Sequence, residues 1–68
     1  MATPTLYRQI TAGTNGARIY ADGNRYYLVD GEIDCSAKNA SADLKDRAYA
    51  SDRDPAKLER AANRNSGR

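Results

Sequence analysis

The sequence predicts an α+β fold: a small antiparallel β-meander of three strands, with a candidate fourth, followed by one or two C-terminal α-helices, the first packing on one sheet face. Three observations carry this reading. Two runs of β-branched and aromatic character, Ala17 to Ala21 and Arg25 to Asp30, flank the turn signal Asp22-Gly23-Asn24. After Cys35 the strand-forming residues vanish, and Ala, Asp, Lys, Arg and Asn take over. Asp54-Pro55 then supplies a helix start, with Asp as cap and Pro at the first helical position. The layout is one domain: meander over 5–35, a helical segment over 36–64 broken near Pro55, and a frayed tail over 65–68.

The first strand is read over Thr5 to Thr11, where Leu6, Arg8 and Ile10 alternate with Tyr7, Gln9 and Thr11. A loop rich in residues that accept positive φ, Ala12 to Gly16, turns the chain into Ala17 to Ala21. The next turn is tight, because Gly and Asn tolerate the backbone conformation that a two-residue hairpin loop demands. Side chains alternate across a strand. Ala17, Ile19, Ala21, Tyr26 and Leu28 therefore form an aliphatic face with one tyrosine, and Leu6 and Ile10 are expected to join it. Tyr7, Arg18, Tyr20, Arg25, Tyr27 and Val29 form the opposite face, which interleaves tyrosine with arginine. A one-residue slip would exchange the two faces. Glu32 to Cys35 is either a short fourth strand or an exit from the sheet.

In the second half, Ser36 or Ser41 is the expected N-cap of the first helix. Ala37, Ala40, Leu44 and Ala48 recur at spacings of three and four, a narrow apolar stripe expected to lie on the aliphatic sheet face. Pro55 ends this helical pattern because it lacks an amide donor and restricts the residue before it. A second helix from Pro55 to about Asn63 carries one large apolar residue, Leu58, beside Ala61 and Ala62.

Composition bounds what such a chain can do. It has 68 residues, and a domain of this size buries only about 60% of the surface its unfolded chain exposes. Leu, Ile and Val total 8, Phe and Trp are absent, and 5 tyrosines supply all aromatic area. Stabilisation by an oligomer or partner is an expectation that follows. Net charge is +2, too small for the usual signature of disorder. A single cysteine, Cys35, excludes an intramolecular disulfide, and the absence of His removes the commonest metal ligand and general base. No stretch approaches the roughly 20 apolar residues of a membrane span, and the start of the chain has no signal-like character. A cytoplasmic protein without membrane contact is the expectation.

Two surfaces are candidates for function. Tyr7, Arg18, Tyr20, Arg25 and Tyr27 form the first, since both residue types combine large contact area with polar groups that docking can satisfy. The same composition suits stacking of nucleic-acid bases, and it equally suits a plain sheet face shielded by long side chains. Lys57, Arg60, Arg64 and Arg68 form the second, a basic stripe on a continued helix that could follow phosphates or an acidic groove, or simply be solvated. Residues 1–34 carry 3 basic and 4 acidic side chains and residues 35–68 carry 8 and 5, so the positive charge is concentrated in the second half. Asp30, Glu32 and Asp34 would share one face of an extended segment, as a weak cation site or as a guard against strand addition. The Asp/Gly/Asn pattern between Asp22 and Glu32 lacks the spacing of a calcium-binding loop. No catalytic, cofactor-binding or metal residue is assigned: Cys35 has no obvious activating partner beyond the nearby Lys38, and it is expected to pack as a small apolar residue.

The expected function is accordingly a non-enzymatic protein-binding module that docks on a larger host or bacterial protein and occludes or modulates it. Its size, bare sheet and charged helical tail are of the kind seen among small accessory proteins and inhibitors of bacteria, phages and plasmids, a comparison that rests on no motif. A nucleic-acid-binding module is the alternative. A self-assembling homodimer is the third reading.

Overall fold

A computed structural model describes residues 3–13 and 15–66, the last three of these through their backbone alone. The element order is β1 (Thr5–Gln9), β2 (Ala17–Asp22), β3 (Arg25–Asp30), α1 (Ala40–Arg47), β4 (Ala50–Asp52) and α2 (Pro55–Ser66). The four strands form one antiparallel sheet in sequence order. An α+β fold with the first helix on the sheet is therefore what the chain adopts.

The central hairpin has the register that its turn demands. Asp22 pairs with Arg25 across a two-residue loop, and the ladder runs without a break to Ala17 opposite Asp30. Gly23 takes φ 68° at the first central position, where only glycine is unstrained, while Asn24 keeps negative φ. One face of the hairpin thus carries Ala17, Ile19 and Leu28, the other Tyr20 and Val29, and all five are buried.

Each helix takes one of these faces. Leu58 and Ala62 of α2 close over Ala17, Ile19 and Leu28, with Ile10, Tyr26, Ala50 and Ala61 around the rim. Leu44 of α1 closes over Tyr20, Val29 and Ile33, with Tyr27, Cys35 and Ala48 beside it. The first helix was expected on the aliphatic face, and this is corrected: the aliphatic face belongs to α2. The cause lies in the segment after β3. Ile33 is buried against Tyr20, and its amide donates to the Tyr20 hydroxyl at 3.0 Å, which draws the chain across that face before α1 begins. Arg47 at the end of α1 then donates to the carbonyls of Glu32 (3.0 Å) and Asp30 (3.2 Å), holding the same segment from the other side.

The fourth strand lies elsewhere than expected. Glu32 to Cys35 is an exit from the sheet, and β4 forms from Ala50–Asp52, within the stretch read as helical. Nothing in Ala-Ser-Asp favours a strand; the free edge of β3 supplies the backbone partners, pairing Tyr26, Tyr27 and Leu28 with Asp52, Ser51 and Ala50. Asn39, rather than Ser36 or Ser41, stands at the N-cap of α1, and its side chain makes no capping bond. The cap of α2 is as read from Asp54-Pro55: the Asp54 carboxylate accepts the Ala56 amide at 3.0 Å. This helix runs to Ser66, through residues expected to fray; Gly67 and Arg68 lie outside the described residues.

β1 ends at Gln9, and a bulge interrupts its pairing, so that Leu6 opposes Tyr20 while Arg8 opposes Ile19. Leu6 therefore shares a face with Tyr20, contrary to the alternation read from the sequence, and Tyr7 turns toward Tyr26 on the α2 side, where their rings meet edge to face at 4.9 Å. The loop after β1 is closed by the Ile10 and Thr11 amides, which both donate to the Ala17 carbonyl, and by the Ala17 amide, which donates to Thr11 Oγ1 at 2.7 Å. Gly16 sits inside this closure. A methyl group there would collide with the backbone carbonyls of Thr11 and Ala12, neither of which can swing aside as a side chain would. Gly16→Ala should destabilise the fold by about 3 kcal/mol or more, at the upper end of single substitutions. Thermal unfolding with a shift under 2 °C would show that the loop yields instead.

Candidate functional site

The five residues of the expected Tyr/Arg face do not form one exposed surface. Tyr20, at 2% exposure, is the largest fully buried side chain, so the expectation that it faces a partner is corrected. Its ring carries the α1-side core, and its hydroxyl accepts the Ile33 amide. Tyr27 is half-buried against the same cluster. Arg18 is partly buried, and its guanidinium donates to the carbonyls of Gly16 (3.1 Å) and Gly13 (3.2 Å), which makes it a brace for the β1–β2 loop. Arg25 is exposed at the hairpin end and donates to Ser51 Oγ at 3.3 Å across to β4. Tyr7 is exposed, but the bulge has carried it away from the other four.

What the structure leaves in solvent on β1 is a pair of sequence neighbours on opposite faces. Leu6, on the α1 side, and Tyr7, on the α2 side, are 51% and 47% exposed on this edge strand. Leu6 was assigned to the core because its alternation with Arg8 and Ile10 matched a buried face; the bulge breaks that alternation. Arg8, the one charge on β1, is drawn off by an ion pair to Glu59 of α2 at 3.2 Å. Arg8 itself stays exposed, so the edge carries Leu6 and Tyr7 beside a surface ion pair. The third large exposed side chain, Tyr49, lies apart, its hydroxyl donating to Asp30 Oδ1 at 3.2 Å.

On the basic stripe, Lys57 and Arg60 are exposed on α2, opposite the buried Leu58 and Ala62. The Arg64 side chain and all of Arg68 lie outside the described residues. The acidic row is dispersed: Asp34 accepts the Ser36 hydroxyl (2.6 Å) and amide (3.1 Å), and Asp30 accepts Tyr49. Among the described residues no three acidic, Cys or His side chains converge as metal ligands would.

An open groove of about 560 Å³ lies between the start of β1, the hairpin tip and the approach to α1, lined by Pro4, Asp22, Cys35, Lys38, Ala40 and Ser41 among others. Its polar groups are largely spoken for. The Ser41 hydroxyl donates to Asp22 Oδ2 at 2.6 Å, and the Cys35 thiol donates to the Ile33 carbonyl. Partial burial, reinforced by the Asp34 and Glu32 carboxylates, pushes the Cys35 thiol up, away from the reactive thiolate. Asp22, the carboxylate among the groove's residues, accepts the Ser41 hydroxyl.

Comparison with known proteins finds no family model that matches this chain, no similar curated protein and no similar solved structure.

Two measurements check the electrostatics and hydrogen bonding described here. Tyr20→Phe removes the acceptor of a buried amide and should cost about 1–3 kcal/mol, whereas Tyr27→Phe, whose hydroxyl has no partner among the described residues, should stay within about 0.5 kcal/mol. Equal unfolding midpoints for the two variants would remove the Ile33–Tyr20 bond from the account. The Asp52 carboxylate is held below its ordinary value of 3.8, chiefly by the Asp54 amide, and also by Lys57. A depressed folded pKa contributes stability above the unfolded value that is lost as pH falls through the folded one. An NMR titration should therefore place the Asp52 midpoint below 3.8, with the first turn of α2 loosening as it protonates. A midpoint at or above 3.8 would contradict that.

Proposed function

We propose that this chain is a small non-enzymatic protein-binding module that docks on a larger partner protein and occludes or modulates it. The observation that carries the reading is the edge strand β1, which leaves Leu6 half exposed on one face and Tyr7 half exposed on the other. Aromatic and large aliphatic side chains are what interface cores are made of, and tyrosine loses little entropy on docking. Arg25 is exposed on the same sheet and could supply a polar rim. Steric blocking needs no bond-making, so a docking surface is sufficient for it. The modest core adds a motive, because a partner that binds only the folded state stabilises it by mass action.

A second reading keeps one specific observation. Lys57 and Arg60 stand exposed on the outer side of α2, where a phosphate backbone could lie. It loses the base-stacking half of its case, since Tyr20 is enclosed and Tyr27 half-enclosed.

The test is capture from bacterial lysate with and without nuclease, using the wild-type chain, a Leu6→Lys/Tyr7→Lys variant and a Lys57→Glu/Arg60→Glu variant. One stoichiometric protein, retained after nuclease and lost with the β1 variant at unchanged thermal midpoint, is the expected result. Binding that vanishes with nuclease or with the α2 variant alone would overturn it in favour of nucleic acid. A concentration-dependent doubling of mass in sedimentation, abolished by the β1 variant, with no protein captured, would overturn it in favour of a homodimer.

A further inference from the structure

Asn15 is the one asparagine of this chain that glycine follows; the others precede Arg25, Ala40, Arg64 and Ser66. An Asn-Gly pair is chemically self-reactive. The glycine amide nitrogen attacks the asparagine side-chain carbonyl carbon and loses its proton, ammonia leaves, and a five-membered succinimide forms. Water then opens the ring to aspartate or to isoaspartate, in which the backbone runs through the side-chain carbon. No oxidant or enzyme is required, and glycine is the most permissive follower because it has no side chain to obstruct the approach.

The fold holds the attacking residue at three points. The Gly16 amide donates to the Gly13 carbonyl at 3.1 Å. The Gly16 carbonyl accepts the Gly31 amide at 3.0 Å and Arg18 Nη1 at 3.1 Å. Gly16 is itself buried, hard against the Thr11 and Ala12 carbonyls, while Asn15 is exposed. The nitrogen that must turn onto the Asn15 side chain is thus tied to another acceptor, and its residue is held by the bonds to its carbonyl.

We propose that Asn15–Gly16 is a self-modification site that the closed β1–β2 loop keeps shut, so that conversion of Asn15 proceeds only through opening of this loop. Modification then becomes irreversible where the opening was not. The extra backbone carbon of isoaspartate displaces Gly16 from its pocket, the Gly31 amide and Arg18 lose their acceptor, and β1 is no longer held to β2 at this end. The chain records its own local unfolding at the root of its edge strand.

The experiment is incubation of the full chain at mildly alkaline pH, native, at graded urea concentrations and fully unfolded, with peptide mapping of residue 15 by mass and by isoaspartate content. Native chain should convert at least about tenfold more slowly than unfolded chain, the factor that about 1.4 kcal/mol of opening free energy represents. Arg18→Ala should speed native conversion severalfold, with Asn24 and Asn39 unmodified as internal controls. The urea series keeps the question open to refutation if that variant fails to fold, because the rate must rise with the open fraction. Equal rates in native and unfolded chain, or a rate flat across urea, would overturn the proposal.

Discussion

The β2–β3 hairpin is apolar on both sides, and the rest of the fold answers to that constraint. Ile19 and Tyr20 are adjacent in sequence, as are Leu28 and Val29, and all four are buried. Residues next to one another in a strand point to opposite faces, so no single layer can cover them. Two short helices with one large aliphatic side chain each are set on opposite sides, Leu58 over Ile19 and Leu28, Leu44 over Tyr20 and Val29. A chain this poor in aliphatics uses nearly all of them this way.

Tyr20 shows how polar groups are made to serve such a thin core. A phenolic ring offers more apolar area than any other side chain present, and its hydroxyl would be costly to bury alone. The Ile33 amide satisfies it, and in doing so fixes the segment leading to α1. Arg47 completes the fixation through the Asp30 and Glu32 carbonyls. Similar economy appears at the other end of the sheet, where Arg18 braces the loop around Gly16. Arg18, expected at an interface, is thereby spent on the backbone.

The functional consequence is that exposure moves to the edge. With both faces of the central hairpin covered, the apolar side chains left in solvent are those the covering helices do not reach, Leu6 and Tyr7 on β1 and, separately, Tyr49. Of the candidate partner surface, composition and alternation located Tyr7 and Arg25 as exposed positions. They missed Leu6, because a bulge between Leu6 and Arg8 has no composition signal; it is a difference of register between two strands. Tyr20 was misplaced for the converse reason. A tyrosine among arginines reads as surface until a helix is found lying over it.

Local chemistry settled a definite part of this protein from the sequence alone. The hairpin, its two-residue turn, the partition of its side chains between faces and the capped start of α2 at Asp54-Pro55 all depend on contacts a few residues apart. Turn geometry and period-two alternation are enough to specify them. Three features were decided only by tertiary structure. Which face each helix covers depends on how the segment between β3 and α1 crosses the sheet, and the Ile33–Tyr20 bond biases it. β4 exists because β3 had a free edge, since Ala50–Asp52 has no strand-forming character of its own. The exposure of Leu6 follows from a bulge that becomes visible only when β1 is laid against β2. Each of these is a choice among partners distant in the chain, and a residue's own type carries no record of the partner that wins.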